Sequence, residues 1–273
     1  MKEHPESINT NPERQIPDLT VTLLQTDLAW ENPEENRRIF AQKVESLTSP
    51  TDLIVLPEMF TTGFTMNAAQ LAEPPNGPTT QWLLQMAEKS QAAITGSIIV
   101  QENGHFYNRL LWAQPDGTVY TYDKRHLFRM AKENAVYSAG KSKLVVTWKG
   151  WRICPLVCYD LRFPVWSRNT HEQSYDLLLY VANWPEKRAR AWCSLLPARA
   201  IENLSYCIGV NRTGTDANTS YAGDSAVCDP QGNSIFLPAN PDIIHTQTLS
   251  YTELASFRKR FPADLDADIF TQL

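Results

Sequence analysis

The sequence predicts one α/β domain in which mixed sheets are covered by helices. Three observations carry this. Short β-branched and apolar runs recur along the 273 residues and alternate early with amphipathic helical patterns. Turn signals lie between neighbouring runs at Glu102-Asn103-Gly104, Lys149-Gly150 and Pro230-Gln231-Gly232. No Ser/Gly-rich linker divides the chain, so residues 19–273 are expected to form a single domain behind a polar tail over residues 1–18.

The elements follow in order. Leu19–Gln25, LTVTLLQ, reads as the first core strand. Residues 33–47 place Ile39, Phe40, Val44 and Leu47 at helical spacing, with Pro33 suited to a first helical position. Residues 52–56, DLIVL, form a buried strand stopped by Pro57. Residues 79–90 read as an amphipathic helix with Trp82, Leu83, Met86 and Ala87 on one side. Residues 93–100 and 106–114 make an antiparallel pair, and 119–122 a further strand. Residues 144–148 and Trp151–Val157 are two strands, followed by a helix expected over 163–170. Residues 176–181, DLLLYV, suit a strand buried on both faces. Ala189–Asn203 is the strongest helical pattern, with Trp192, Leu195, Leu196, Arg199, Ala200 and Asn203 on neighbouring turns. Strands are then expected over 205–210, 221–229, 234–237 and Ile243–Leu249, with a final helix over Tyr251–Arg260.

Composition excludes several classes. A formal charge of -5 gives no reason to expect nucleic acid or an anionic membrane as partner. No run approaches a transmembrane span, and the N-terminus MKEHPESINTNPERQIPD lacks an apolar signal core, so a soluble, cytoplasmic protein is expected. Five cysteines would leave one over in a closed disulfide set, whereas a reduced compartment has no such difficulty. Gly-x-Gly-x-x-Gly, Gly-x-Ser-x-Gly and His-Glu-x-x-His are absent, and five scattered histidines make no metal site.

Three polar residues share one property. Glu58, Lys124 and Cys158 each follow an apolar strand, where loops gather at a sheet's carboxyl edge. A lysine stabilises a thiolate, a carboxylate can take its proton, and the same lysine can face an oxyanion. Spacing alone leaves the bland reading beside the catalytic one. A cysteine after a strand is commonly a small buried hydrophobe, and Glu or Lys at a strand end is commonly a surface residue.

Longer segments carry a resemblance. Leu56-Pro57-Glu58-Met59-Phe60, Tyr122-Asp123-Lys124-Arg125-His126-Leu127-Phe128 and Leu156-Val157-Cys158-Tyr159-Asp160-Leu161-Arg162-Phe163-Pro164 resemble the glutamate, lysine and nucleophile segments of the nitrilase superfamily of carbon–nitrogen hydrolases. The likeness spans roughly residues 19 to 262. Residues 158–169 (CYDLRFPVWSRN), 180–185 (YVANWP) and 199–203 (RAIEN) are most similar to bacterial omega-amidases.

The resemblance implies a four-layer α-β-β-α sandwich, dimers or higher homo-oligomers, and no metal or organic cofactor. It implies hydrolysis of the terminal amide of 2-oxoglutaramate or 2-oxosuccinamate, beside glutamine-dependent transamination in methionine salvage. It makes Cys158 the nucleophile, Glu58 the acid and base, and Lys124 with the Tyr159 N–H the oxyanion partners. Glu133 matches the family's second glutamate, with a solvent-facing loop acid as the alternative. For the substrate carboxylate, Arg188 and Arg129 are the candidates, each after a strand end. Phe64, Phe128 and Trp184 are candidate pocket walls, or else core or interface aromatics. Asp160 and Arg162 read as props beside the nucleophile, and Arg199, Glu202 and Asn203 as a buried polar network. Cys154, Cys193, Cys207 and Cys228 read as packing cysteines. A nitrilase or N-carbamoyl hydrolase, or a non-catalytic relative that binds a metabolite or protein, are the competing functions.

Overall fold

The computed structural model describes residues 16–236 and 242–268. The tail expected over residues 1–18 lies outside them as far as residue 15, as does Leu237 in the strand expected over 234–237. Ile16 packs on the core, and Trp151 Nε1 donates to the Pro17 carbonyl at 2.8 Å.

In chain order the strands are β1 (Leu19–Gln25), β2 (Leu53–Val55), β3 (Ala93–Glu102), β4 (His105–Ala113), β5 (Val119–Asp123), β6 (Val146–Trp148) and β7 (Trp151–Val157). There follow β8 (Leu177–Ala182), β9 (Tyr206–Asn211), β10 (Thr213–Thr215), β11 (Ser220–Ala222), β12 (Ala226–Cys228), β13 (Ser234–Phe236) and β14 (Ile243–Leu249). The helices are α1 (Pro33–Glu45), α2 (Ala68–Leu71), α3 (Pro78–Ser90), α4 (Glu133–Val136), α5 (Pro164–Ser167), α6 (Ala189–Asn203) and α7 (Tyr251–Arg260). One sheet has the order β14-β1-β2-β3-β4-β5, a second β13-β12-β9-β8-β7-β6, and β10-β11 is a separate pair.

Alternation along the strands builds the layers. Leu19, Val21, Leu23, Leu53, Val55, Leu110 and Trp112 point to one face of the first sheet and join the core shared with the second. Their neighbours Leu24, Ile54, Leu56 and Leu111 point the other way, onto Phe40 and Val44 of α1 and Leu83 and Met86 of α3. On the far side α6 covers β9. A Cβ at Gly209 would meet Leu196 and Trp192 side chains at 2.6 Å, so only glycine admits the helix this closely. The result is an α-β-β-α sandwich. Trp148 Nε1 ties its two sheets by donating to the Asp52 carbonyl at 2.8 Å.

Turn chemistry sets the hairpins. Asn103 and Gly104 have φ of 50° and 77°, and Lys149 and Gly150 have 48° and 89°. Positive φ at both central residues matches the right-handed twist of the flanking strands.

Three expectations change. The strand expected over 221–229 is broken into β11 and β12, because Gly223 and Asp224 take φ of 81° and 54° and turn the chain. The helix expected over 163–170 shrinks to α5, preceded by a 3-10 turn over Cys158–Arg162. Cys193 is exposed rather than packed, since it lies one residue off the Trp192, Leu196, Ala200 stripe that α6 buries. Cys154, Cys207 and Cys228 are buried, and all five thiols are free.

Candidate active site

β2 and β5 run in the same direction in the first sheet, and β7 and β8 run parallel in the second. Glu58, Lys124, Cys158 and Asn183 follow those four strands closely. The sandwich brings their ends together.

Lys124 is the centre of charge. Its ammonium donates to Glu58 Oε1 at 2.8 Å and to Glu133 Oε1 and Oε2 at 2.9 and 3.1 Å. All three groups are enclosed. A buried ammonium is stable only when its charge is answered this closely. Burial alone pulls the Lys124 pKa down, but Glu133 and Glu58 outweigh it and hold the group well above its ordinary value. Burial pushes Glu133 up, opposed by Lys124 and aided by Glu58. Glu133 is anchored further by the Phe128 N–H at 2.5 Å. It is therefore no solvent-facing loop acid.

Glu58 receives more donors. Asn108 Nδ2 reaches Oε1 at 2.8 Å, and the Asn183 N–H reaches Oε2 at 2.8 Å. The Asn183 side chain also donates to the Glu58 carbonyl. The charges of the Glu58 carboxylate and the Lys124 ammonium both bear on the Cys158 thiol. Burial, then the Glu58 charge, pushes the thiol well above its ordinary value, against the pull of Lys124. The resting group is thus a thiol with a carboxylate in place to take its proton. Cys158 sits at φ 44°, a left-handed backbone that turns the chain sharply out of β7.

A cavity of about 230 Å³ opens onto Cys158 and Lys124. Phe64, Phe128, Tyr159 and Trp184 line it, and Lys124 Nζ lies 5.1 Å from the Phe64 ring centre. Arg188 lines it too, with its guanidinium 5.0 Å from the Phe128 ring centre. Arg129 does not: it is exposed outside the cavity, while its neighbours in the same 3-10 turn, Met130 and Ala131, line it, Met130 at an exposed position. Arg162, read as a prop, is an exposed lining residue, 5.0 Å from the Trp184 ring centre. Among the described residues neither Arg162 nor Arg188 pairs with a carboxylate, and no Asp or Glu lines the cavity.

The network under the site is present in part. Arg199 is buried and donates to the Leu161 carbonyl at 3.1 and 2.6 Å, and Asn203 Nδ2 donates to the Arg199 carbonyl. Glu202 pairs with Arg199 at 2.9 Å but is 32% exposed, so it belongs to the network's edge. Asn108, Asn183, Thr219 and Tyr221 were not singled out from the sequence. Asn183 carried the same signal as Glu58, a polar residue ending a buried strand. Asn108 carried a fainter one, an amide inside an otherwise apolar strand. Among the described residues no cluster of His, Cys, Asp and Glu could hold a metal ion. None of their helices is long and apolar enough to cross a membrane.

The carbon-nitrogen hydrolase family matches residues 20–256. Omega-amidase YafV of Escherichia coli (strain K12) is 49% identical over 263 residues, covering 93% of this chain and 99% of that protein. The 2-oxoglutaramate amidase of Bacillus subtilis (strain 168) is 32% identical over 256 residues, 92% of this chain and 99% of that protein. The crystal structure of XC1258 from Xanthomonas campestris, a CN-hydrolase superfamily protein with an arsenic adduct in its active site, superposes with a TM-score of 0.91. It is 48% identical and covers 94% of this chain and 99% of its own. With the sandwich, the converging strand ends and these relatives together, the chain belongs to the carbon–nitrogen hydrolase family and is an amidase.

Proposed function

We propose that this amidase is an omega-amidase that hydrolyses the terminal amide of 2-oxoglutaramate or 2-oxosuccinamate to the 2-oxo acid and ammonia through a cysteine thioester. The observation that carries the reading is that Glu58 binds Lys124, and that Lys124 and Cys158 line one cavity together with the unpaired guanidiniums of Arg162 and Arg188.

Glu58 takes the thiol proton as Cys158 Sγ attacks the amide carbon. The oxyanion that forms faces Lys124 Nζ and the Tyr159 N–H. As the C–N bond breaks, Glu58 returns the proton to the leaving nitrogen, which departs as ammonia and leaves a thioester. Water then attacks, giving its proton to Glu58. The C–S bond breaks, the 2-oxo acid leaves, and the thiol is restored. Glu58 acts as base twice and acid twice. Glu133 holds Lys124 in place. Arg188 and Arg162 receive the single carboxylate of the substrate, a pairing in which the planar guanidinium is favoured. Phe64, Phe128 and Trp184 limit water around the acyl group.

The same reading places the enzyme in the cytoplasm as a homodimer, where exposed Ile201 and Ile235 suit a partner subunit. It also places it beside glutamine-dependent transamination in methionine salvage.

The test is ammonia release. It is expected from 2-oxoglutaramate and 2-oxosuccinamate, and not from glutamine, nitriles or N-carbamoyl compounds. Cys158→Ala should lower turnover by at least about 10³-fold. Persistent turnover in that variant, or a preference for nitriles or N-carbamoyl compounds, overturns the proposal.

A further inference from the structure

Asp160 is wholly buried, and its two oxygens accept four hydrogen bonds. Oδ1 accepts from the His126 N–H at 3.0 Å and from His126 Nδ1 at 2.7 Å. Oδ2 accepts from the Tyr122 hydroxyl at 2.7 Å and from the Val157 N–H at 3.1 Å. The Tyr122 oxygen in turn accepts from Trp166 Nε1 at 3.0 Å and the Arg125 N–H at 3.2 Å, which turns its own proton toward Asp160.

These donors bracket both reacting side chains. Tyr122 and His126 stand two residues before and two after Lys124. Val157 precedes Cys158, and Asp160 itself stands two residues beyond it. Cys158 is held at φ 44°, a conformation that persists only where its surroundings over-determine it. Lys124 and Cys158 come from different sheets. Apolar packing would press those two loops together without fixing their register. Hydrogen bonds to one carboxylate fix both distance and direction.

We propose that Asp160 is a positioning residue for the amidase reaction: by clamping the lysine loop and the nucleophile turn to one carboxylate, it sets Lys124 against Cys158. This rests on the assignment of Lys124 and Cys158 to the reaction. Asp160 touches neither substrate nor reacting atoms and acts through the two loops.

Three variants and a control test it. Tyr122→Phe and His126→Phe each delete one donor to Asp160 and keep a ring. His126 stacks on Phe163 with centroids 3.7 Å apart, a contact that phenylalanine retains. Asp160→Asn replaces one acceptor oxygen by a donor. The control, Ser167→Ala, removes a buried hydrogen bond to the Tyr180 hydroxyl that lies outside this network. Each of the two donor variants is expected to lose about tenfold in kcat, and Asp160→Asn about 100-fold, with KM within about twofold. The double variant Tyr122→Phe/His126→Phe should lose less than the product of the single losses, since both act through Asp160. The pH profile of Cys158 alkylation by iodoacetamide, followed on the Cys158 peptide by mass spectrometry, should move in the network variants and stay in place in Ser167→Ala. Unchanged kcat in the donor variants, a raised KM at intact kcat, or an equal kcat loss in Ser167→Ala overturns the proposal. If Asp160→Asn fails to fold, the two donor variants decide. Turnover that survives Cys158→Ala is a different failure, since it removes the mechanism and not the clamp alone.

Discussion

The backbone N–H of Asn183 donates to Glu58 Oε2 at 2.8 Å across 125 residues of sequence. It joins the end of β8 in one sheet to a residue three positions past the end of β2 in the other. The Asn183 side chain repeats the link through the Glu58 carbonyl. The proposed acid and base is thus held from both ends by the opposite sheet.

Asn183→Ala removes the side-chain half of this link and leaves the backbone half. Loss of a buried hydrogen bond of this kind costs about 1–2 kcal/mol. The expected result is a lower denaturation midpoint by that amount and a kcat lowered about tenfold through looser placement of Glu58. Guanidinium melts and steady-state ammonia release read the two effects separately. An unchanged kcat would show that the backbone N–H suffices.

Glu133→Gln tests the second carboxylate. Oε1 of Glu133 accepts from Lys124, and Oε2 accepts from the Phe128 N–H as well as from Lys124. An amide has one acceptor oxygen: placed at the Oε2 position it keeps Phe128 and the longer Lys124 contact, but its NH2 then faces the Lys124 ammonium, donor against donor. We expect kcat to fall about 10- to 100-fold while KM changes little, because Lys124 is displaced from the oxyanion position. A kcat within about twofold of wild type would remove Glu133 from this role.

Cys154 predicts a pH dependence of stability. Burial pushes its thiol up to about 12, with Lys143 opposing. An unfolded cysteine titrates near about 8.5. Between those values the unfolded chain releases a proton that the native protein keeps. The contribution is therefore fully present below about pH 8.5 and is lost as pH rises toward about 12. Cys154→Ala removes this group. Its stability gap from wild type should narrow by about 1–2 kcal/mol between pH 7.5 and pH 10, measured by denaturant melts under reducing conditions. A gap that stays constant, or widens, refutes the assignment.

Much of the site was legible because its residues obey a local rule. Glu58, Lys124 and Cys158 each end an apolar run, and the strand ends are where a layered α/β protein exposes side chains to a shared edge. Asn183 obeys the same rule. Arg129 and Arg188 looked alike in sequence, since each follows a strand end by a few residues. Only one lines the cavity, because the direction of a side chain in a 3-10 turn depends on which face the turn packs. Arg162, at the end of the 3-10 turn that starts at Cys158, lines the cavity as well.

The sequence by itself determined most of the elements, the family segments and the candidates for the reacting groups. Alternation, helical spacing and turn residues act over a few residues, so they can be read along a chain. Tertiary structure alone decided what those groups do to one another. The ammonium of Lys124 is shared between Glu58 and Glu133, the Cys158 thiol is kept protonated, and Asp160 spans two loops. Each of these depends on distances of about 3 Å between residues far apart in sequence, in a place closed to water. Electrostatic and hydrogen-bond energies there are set by separation and burial, and neither is written in the order of the residues.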